Sequence, residues 1–324
     1  MNRARKEGRA NAPWHSFAVS FRAFWSRNRK KAFAYPYILW MALFVVIPIF
    51  LVMVYAFTKS GGGFTLSNFS GMGVYAPVFG RSLWLAFLAT VICLLIGYPV
   101  ALAMSRLSPR MQRIVLMLLM LPMWINFLLR TYAWMSILEN TGLLNRFFQA
   151  VGIIDLSNLI NGGLNQLLGL SGGQLLPTDQ TYFQMINTGG AVVLGMVYNY
   201  LPFMILPIHS VIIKIDPFVI EAAQDLGASR KTVFRKVILP LSLSGVISGV
   251  TMVFVPSVST FVISKLLGGG TDMLLGDLIE MQFLGAAYNP HLGSAISLIM
   301  MAIVVVCMSI MNKFGEGEES AVVM

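Results

Sequence analysis

The stretch "EAAQDLGASRKTVFRKVILP", Glu221 to Pro240, is a polar segment inside a chain that is otherwise strongly apolar. The 324 residues are 57% hydrophobic and only 11% charged, whereas soluble domains carry about a quarter charged residues. This composition predicts a membrane protein that crosses the bilayer several times. A polar stretch of this length is therefore expected in a loop between two membrane helices.

Apolar runs long enough to cross a bilayer set the predicted fold. A spanning helix requires about 20 mainly apolar residues. Five runs meet this condition plainly, and a sixth, Ile114 to about Leu138, is interrupted by Arg130. We count the sixth because polar residues such as Asn126 and Arg130 are tolerated where a helix faces a bundle interior or a watery path. The sequence predicts an all-α membrane protein with six transmembrane helices, the plain runs being Tyr35–Phe57, Ser82–Met104, Ala191–Ile213, Val237–Ser264 and Leu292–Asn312.

Basic residues predict the orientation of these spans. Nine of the 23 Lys and Arg lie in the first 34 residues, and most of the others lie in alternate loops. The positive-inside rule places such loops in the cytoplasm. We therefore predict a basic cytoplasmic tail over 1–34, a transmembrane domain over 35–313 and a cytoplasmic C-terminal tail over 314–324. The aromatic residues among the N-terminal cations are compatible with a solvated tail or with one lying on anionic lipid.

The residues around the polar stretch predict two short helices over 216–236. Asp216 is a capping residue, and Pro217 suits the first position of a helix because its missing N–H needs no partner there. Gly227 suits a left-handed turn that ends the first helix, and Ser229 suits the cap of the second. Ala222 and Ala223 leave a nearly flat patch on the first helix, which lets the backbone of another protein approach.

This pattern resembles the EAA signature of permease subunits in binding-protein-dependent ABC importers. Glu221, Ala222 and Ala223, then Gly227, then Leu239 and Pro240 have the expected spacing, with Val237 where Ile is usual. The combination of two capped helices, the Gly and the Leu-Pro pair favours this resemblance over an ordinary capped loop helix. The resemblance implies the type I ABC importer permease fold with a cytoplasmic coupling helix. It implies ATPase-coupling roles for Glu221, Ala222, Ala223, Asp225, Gly227 and Arg230.

The same resemblance implies several partners. These are a second permease subunit, two copies of an ABC ATPase that binds ATP and Mg, and an extracytoplasmic substrate-binding protein, all at a bacterial cytoplasmic membrane. This chain has no G-x-x-x-x-G-K-[ST] phosphate-binding loop. We therefore expect no cofactor in this chain and ATP hydrolysis by a separate polypeptide.

Other segments resemble the first permease subunit of spermidine/putrescine importers. They are Met123 to Leu138, Tyr198 to Ser210 and Phe254 to Leu284. Many relatives carry a Gly-Glu pair where this chain has Ser259 and Thr260, so a role for that Glu is not transferred. The resemblance implies a polyamine as cargo. Ferric iron, sulfate, thiamine or another small solute in the same family, and a self-sufficient secondary transporter from another class, are the alternatives.

Polar and aromatic residues in the apolar part are candidates for a substrate pathway. Asp277 and Glu280 are three residues apart in an interfacial or re-entrant segment, Met273 to Ala287, and would share one helical face. Aromatic rings attract amines, although packing explains aromatic residues in membrane helices equally well. Arg130 would repel a polyamine, so we assign it a gating role or a structural pair, for which Glu139 and Glu280 are candidate partners. The pathway candidates are Trp124, Asn126, Tyr132, Trp134, Asn199, Thr260, Asp277 and Glu280.

Two further expectations concern a long loop and the absence of chemistry. The loop Glu139 to Gly190 is predicted to contain short interfacial helices, because unstructured loops of this length are uncommon. Cys93 and Cys307 lie in apolar runs and predict neither a disulfide nor a metal site. The three histidines share no ligand spacing, and no catalytic constellation is present in the sequence. We therefore predict a subunit that is not an enzyme.

Overall fold

The computed structural model describes residues 35–59, 61–167, 177–270, 273–285 and 287–322, and its regular elements there are helical. The predicted N-terminal tail, 1–34, lies outside these residues. The last helix continues through most of the predicted C-terminal tail. In chain order the helices are α1 Tyr35–Ala56, α2 Ser67–Ser70, α3 Ala76–Ser105, α4 Pro109–Trp124, α5 Phe127–Leu138, α6 Leu143–Ala150, α7 Ile153–Leu167, α8 Gly189–Ile212, α9 Pro217–Asp225, α10 Arg230–Leu241, α11 Leu243–Ser259, α12 Val262–Leu267, α13 Leu275–Leu284 and α14 Pro290–Val322.

The described helices provide four straight spans and two bent ones. Helices α1, α3, α8 and α14 are each long and apolar enough to cross a membrane. Helix α4 meets the segment Phe127–Ala150 at 87°, and α10 meets α11 at 61°. Six spans result if each bent pair crosses the membrane once, which agrees with the sequence-based count.

Two of the predicted spans contain breaks that the sequence analysis did not locate. In the run Ile114 to Leu138, Ile125 has extended backbone, and the side chain of Asn126 starts α5 by accepting a hydrogen bond from the Leu128 N–H at 2.8 Å. In the run Val237 to Ser264, the bend lies at Ser242, and Thr260 is extended after α11. Local polar groups capture the backbone at these points and end each helix.

The centre of the protein is formed by α3, α8 and α11, which pack against one another. Met204 of α8 is fully buried at this junction. A Cβ atom at Gly97 of α3 would lie 3.0 Å from the Met204 side chain, and one at Gly249 of α11 would lie 2.8 Å from its sulfur. Small residues therefore let these membrane helices approach closely. Helix α14 joins this centre to α1 and α13 at the periphery.

The predicted short helices between Glu139 and Gly190 are present as α6 and α7, while their position relative to the membrane interface stays a prediction. Amide side chains attach both helices to the segment 177–183. Asn145 of α6 is buried and exchanges hydrogen bonds with the backbone of Phe183 at 2.9 and 3.0 Å. Asn158 of α7 does the same with Gln180, at 2.9 and 3.1 Å. These bonds hold an otherwise irregular segment against the two helices.

Candidate functional site

The start of the polar hairpin, which we define as residues 216–236, follows from a side-chain cap. Asp216 Oδ1 accepts a hydrogen bond from the Phe218 N–H at 2.9 Å, and Pro217 is the first residue of α9. The cap satisfies one of the free N–H groups that every helix start leaves. The predicted start of this helix is confirmed.

The end of α9 is a left-handed turn at Gly227, where φ is 79°. The Gly227 N–H donates to the Gln224 carbonyl at 2.8 Å, and the Ala228 N–H donates to the Ala223 carbonyl at 3.1 Å. This is the Schellman arrangement, which ends a helix by reversing the chain. Ser229 Oγ then accepts from the Thr232 N–H at 3.3 Å and starts α10. Both predicted features of the turn are therefore confirmed.

The outer side of α9 carries large apolar residues that the sequence analysis did not single out. Phe218 is 75% exposed and Leu226 is 89% exposed. At helical spacing they lie on the same side as Ala222, which is also exposed, whereas Ala223 is partly covered. The alanine pair is therefore not one flat patch. The spacing of four residues between Phe218, Ala222 and Leu226 is a sequence signal that these three share one side of the helix.

The inner side of the polar hairpin borders a cavity of about 360 Å³. The hairpin contributes Pro217 and Ile220, and the end of α3 contributes Leu102 and Ser105. The remaining residues of the polar hairpin singled out from the sequence, Glu221, Asp225 and Arg230, are exposed. The hairpin thus presents charged and apolar groups outwards while a space separates part of it from the helical core.

The aromatic pathway candidates do not form one cluster. Trp134 of α5 packs inwards, edge to face with Tyr198 of α8, at 5.3 Å between ring centroids. Trp124 is 86% exposed at the end of α4, and Tyr132 is also exposed. The side chain of Asn126 is used as the cap of α5. The structure therefore brings Trp134 and Tyr198 together and leaves Trp124 and Tyr132 on the outer surface of this chain.

Arg130 contacts Tyr198, one member of this aromatic pair. Its Cζ atom lies 6.0 Å from the centroid of the Tyr198 ring. Among the described residues, no ion pair joins Arg130 to Glu139 or Glu280, and Glu280 pairs with Lys265 instead. Neither of the two candidate ion pairs is formed among the described residues, where Arg130 instead makes a cation–π contact with Tyr198.

Two further candidates are buried within the chain. Asn199 donates a hydrogen bond from Nδ2 to the Gly195 carbonyl one turn earlier in α8, at 2.8 Å. Its Oδ1 is buried without a hydrogen-bond partner among the described residues. Thr260 is buried directly after α11. Asn199 thus keeps one free acceptor.

The two acidic candidates on α13 have different surroundings. Asp277 is buried, and its Oδ2 accepts a hydrogen bond from the Leu274 N–H at 2.9 Å. Burial raises the pKa of the Asp277 carboxyl, and the hydrogen bond from Leu274 opposes this shift. Glu280 is more exposed and accepts two hydrogen bonds from Lys265 Nζ, at 2.9 and 3.0 Å. Lys265 was missed by the sequence analysis, since its 15-residue separation from Glu280 gives no local signal.

A helical membrane chain with a capped polar hairpin between two of its spans has the architecture of a transporter's membrane subunit. The chain belongs to the family of binding-protein-dependent transport system inner membrane components, which matches residues 93–316. This confirms the resemblance that the EAA signature indicated.

Individual relatives indicate a more specific group of proteins within this family. The chain is 36% identical over 277 residues to the spermidine/putrescine transport system permease protein PotB of Haemophilus influenzae, covering 82% of this chain and 88% of that protein. It is 34% identical over 269 residues to the Escherichia coli K12 protein of the same name, covering 81% and 88%. The resemblance to spermidine/putrescine permeases is therefore confirmed.

A solved structure supports the fold. The chain superposes with a TM-score of 0.68 on a chain of a bacterial ABC transporter involved in the import of the acidic polysaccharide alginate. The two are 15% identical, and the match covers 91% of this chain and 98% of that chain. At this identity the likeness concerns the fold alone. The fold is the type I ABC importer permease fold that the sequence predicts.

Proposed function

We propose that this chain forms half of the translocation path for polyamines of the spermidine/putrescine class in a bacterial ABC importer. The observation that carries the proposal is the 36% identity, over 82% of the chain, to a spermidine/putrescine permease. The cargo is thus inferred from the relatives, whereas membership of the transporter family follows from the match of the family to residues 93–316 of this chain.

The polar hairpin is the proposed contact with a separate ATPase, which binds ATP and Mg. Its caps fix the direction of α9, and its outer side offers Glu221, Ala222 and Asp225 together with exposed Phe218 and Leu226. Apolar groups flanked by charged ones are typical of protein interfaces. Gly227 and the partly covered Ala223 shape the turn, and Arg230 follows it. We place this hairpin and both chain termini in the cytoplasm.

The remaining proposed partners are a second permease subunit and an extracytoplasmic binding protein. The second subunit would complete the path beside α5, α8 and α13. In this arrangement Asp277 is the preferred acidic pathway residue, since Glu280 already pairs with Lys265. Trp124, Asn126, Tyr132, Trp134, Asn199 and Thr260 remain proposed pathway residues.

Reconstitution tests the proposal. The chain is placed in proteoliposomes with the ATPase, second permease and binding protein of the same transport system, and uptake of labelled spermidine and putrescine is measured with and without ATP. We expect ATP-dependent uptake that requires the binding protein, and none when the ATPase is omitted. Uptake of sulfate, ferric iron or thiamine in place of polyamines would contradict the cargo. Uptake driven by an ion gradient without the ATPase would contradict the transport class.

A further inference from the structure

The bend between α10 and α11 is held by a buried hydroxyl pair. Ser242, at the bend, is fully buried, and its Oγ lies 2.8 Å from the hydroxyl of Tyr98 on α3. Ser242 Oγ also donates to the Leu239 carbonyl at 3.1 Å. Since a serine hydroxyl has only one proton, Tyr98 is the donor when that bond is made. A hydrogen bond thus connects the helical core to the residue where the chain changes direction.

Tyr98 also contacts the other side of the bend. Its ring packs edge to face against Phe234 of α10, at 5.8 Å between centroids and an interplanar angle of 82°. Phe234 lies eight residues before Ser242 and begins a wide helical turn, Phe234–Ile238. One side chain of α3 therefore contacts both ends of the linking segment, residues 234–242, which joins the last residues of the polar hairpin to α11.

The linking segment has a weak local structure of its own. The Leu239 N–H donates to the Phe234 carbonyl five residues earlier, which is a π-helical bond, and Pro240 follows without an N–H group. The same pattern occurs in α1, where the π turn Ala42–Val46 precedes Pro48. Short π turns are rare in proteins overall, but those that occur are often found at functional sites. The direction of the chain here depends on tertiary contacts, because the backbone hydrogen bonds alone do not fix a straight helix.

Next to this segment the polar hairpin is not densely packed against α3. The cavity of about 360 Å³ is lined by Leu102, one turn after Tyr98, and by Ile238 of the wide turn. Pro217 and Ile220 of the hairpin line it from the other side. The hairpin therefore has space to approach the end of α3. One turn earlier in α3, Tyr98 is in direct contact with Phe234 and Ser242.

We propose that Tyr98 and Ser242 form a fulcrum that positions the polar hairpin relative to α11, so that a displacement of the hairpin turns α11 instead of being absorbed by the wide turn. Both are positioning residues, since they act through helices α10 and α11. This inference rests on the proposed function insofar as the displacement comes from an ATPase bound to the hairpin. The contacts themselves involve this chain alone.

The first test separates coupling from stability. Tyr98→Phe removes the hydroxyl and keeps the ring against Phe234, and Ser242→Ala removes the other partner. In the reconstituted importer we expect each variant to accumulate about fivefold less spermidine per ATP hydrolysed, the factor that one net hydrogen bond gives. The double variant should show no loss beyond that of Ser242→Ala, because both changes remove the hydrogen bond between the two hydroxyls and only Ser242→Ala also removes the bond to the Leu239 carbonyl. Tyr37→Phe and Ser309→Ala, on exposed surfaces of α1 and α14, are the matched controls.

The second test is independent of the cargo. Nitroxide labels are attached through Gln224→Cys in the hairpin and Ser248→Cys in α11, both exposed positions, in a Cys307→Ser background of the complete complex. We expect one narrow distance distribution for parental Tyr98 and a broader one for Tyr98→Phe. If the parental importer fails to take up spermidine, the proposed cargo is wrong and this distance test still decides the fulcrum. An unchanged distance distribution, or an unchanged ratio of spermidine uptake to hydrolysis in an importer that transports spermidine, would overturn it.

Discussion

A single backbone angle at Gly227 determines where the polar hairpin reverses. Its φ of 79° lies in the left-handed region, and a Cβ atom built there meets nothing within 4 Å. A side chain at this position would therefore be opposed by the backbone conformation, not by a neighbour. Left-handed helical geometry costs L-residues about 1–2 kcal/mol, and β-branched residues tolerate it least.

We expect Gly227→Val to abolish uptake while membrane abundance stays normal, because the turn and the outer side of α9 are misdirected. Gly227→Asn is the matched control, since asparagine tolerates the left-handed region, and it should retain most activity. The measurements are co-purification of the ATPase and hydrolysis stimulated by the binding protein. Equal activity of both variants would show that the turn geometry is not needed for coupling.

Helices α6 and α7 illustrate how side-chain amides hold an element in place. In helix α7, Asn165 is buried and Asn158 is partly buried, while Leu156 and Leu159 are exposed. The inward side of α7 is therefore mixed, with polar side chains beside the buried Ile154. Hydrogen bonds to segment 177–183 attach this pair to the chain, together with the ring contact of Phe148 with Phe183.

Asn145 makes three of these amide hydrogen bonds. It exchanges two hydrogen bonds with Phe183 and donates one to the Glu139 carbonyl at 3.1 Å. We expect Asn145→Leu to lower the free energy of local opening by about 2–4 kcal/mol, because buried backbone groups lose their partners. Hydrogen exchange at the Phe183 amide measures this. Asn161→Leu, which loses one exposed bond to Pro177, should have a much smaller effect, and equal exchange rates in both variants would contradict the ranking.

At the scale of the whole molecule, the surroundings of α13 distinguish two carboxylates that look alike in the sequence. Helix α13 contacts α3, α11, α12 and α14, and this packing buries Asp277. The fold places Lys265 next to α13, where it forms an ion pair with Glu280. The net charge of +10 therefore says little about the local field near α13.

We expect Asp277→Asn to raise the apparent KM for spermidine about tenfold, the effect of losing about 1.4 kcal/mol of interaction with the cation. Glu280→Gln should change this KM by less than about twofold, since an exposed ion pair contributes little. Uptake kinetics at low spermidine concentration, with abundance controlled by immunoblotting, provide the comparison. A larger effect from Glu280→Gln would reverse the assignment.

The sequence by itself determined the class of fold, most span positions and the local structure of the polar hairpin. Apolar length fixes where a helix can cross a bilayer, and the caps at Asp216, Gly227 and Ser229 act through neighbours within a few residues. These are local effects, so a sequence reader can find them. The family signature depends on the same local residues.

Only the tertiary structure decided the bend at Ser242, the ion pair of Lys265 with Glu280 and the hydrogen bond of Tyr98 with Ser242. The break at Asn126 is a local cap that the sequence analysis overlooked. Apolar runs do not reveal whether a helix bends, because a polar side chain that ends a helix costs little hydropathy. Tyr98 and Ser242 are 144 residues apart, and no periodicity in the sequence connects them. Their contact exists because α3, α8 and α11 pack closely enough at small residues to bring the bend beside α3.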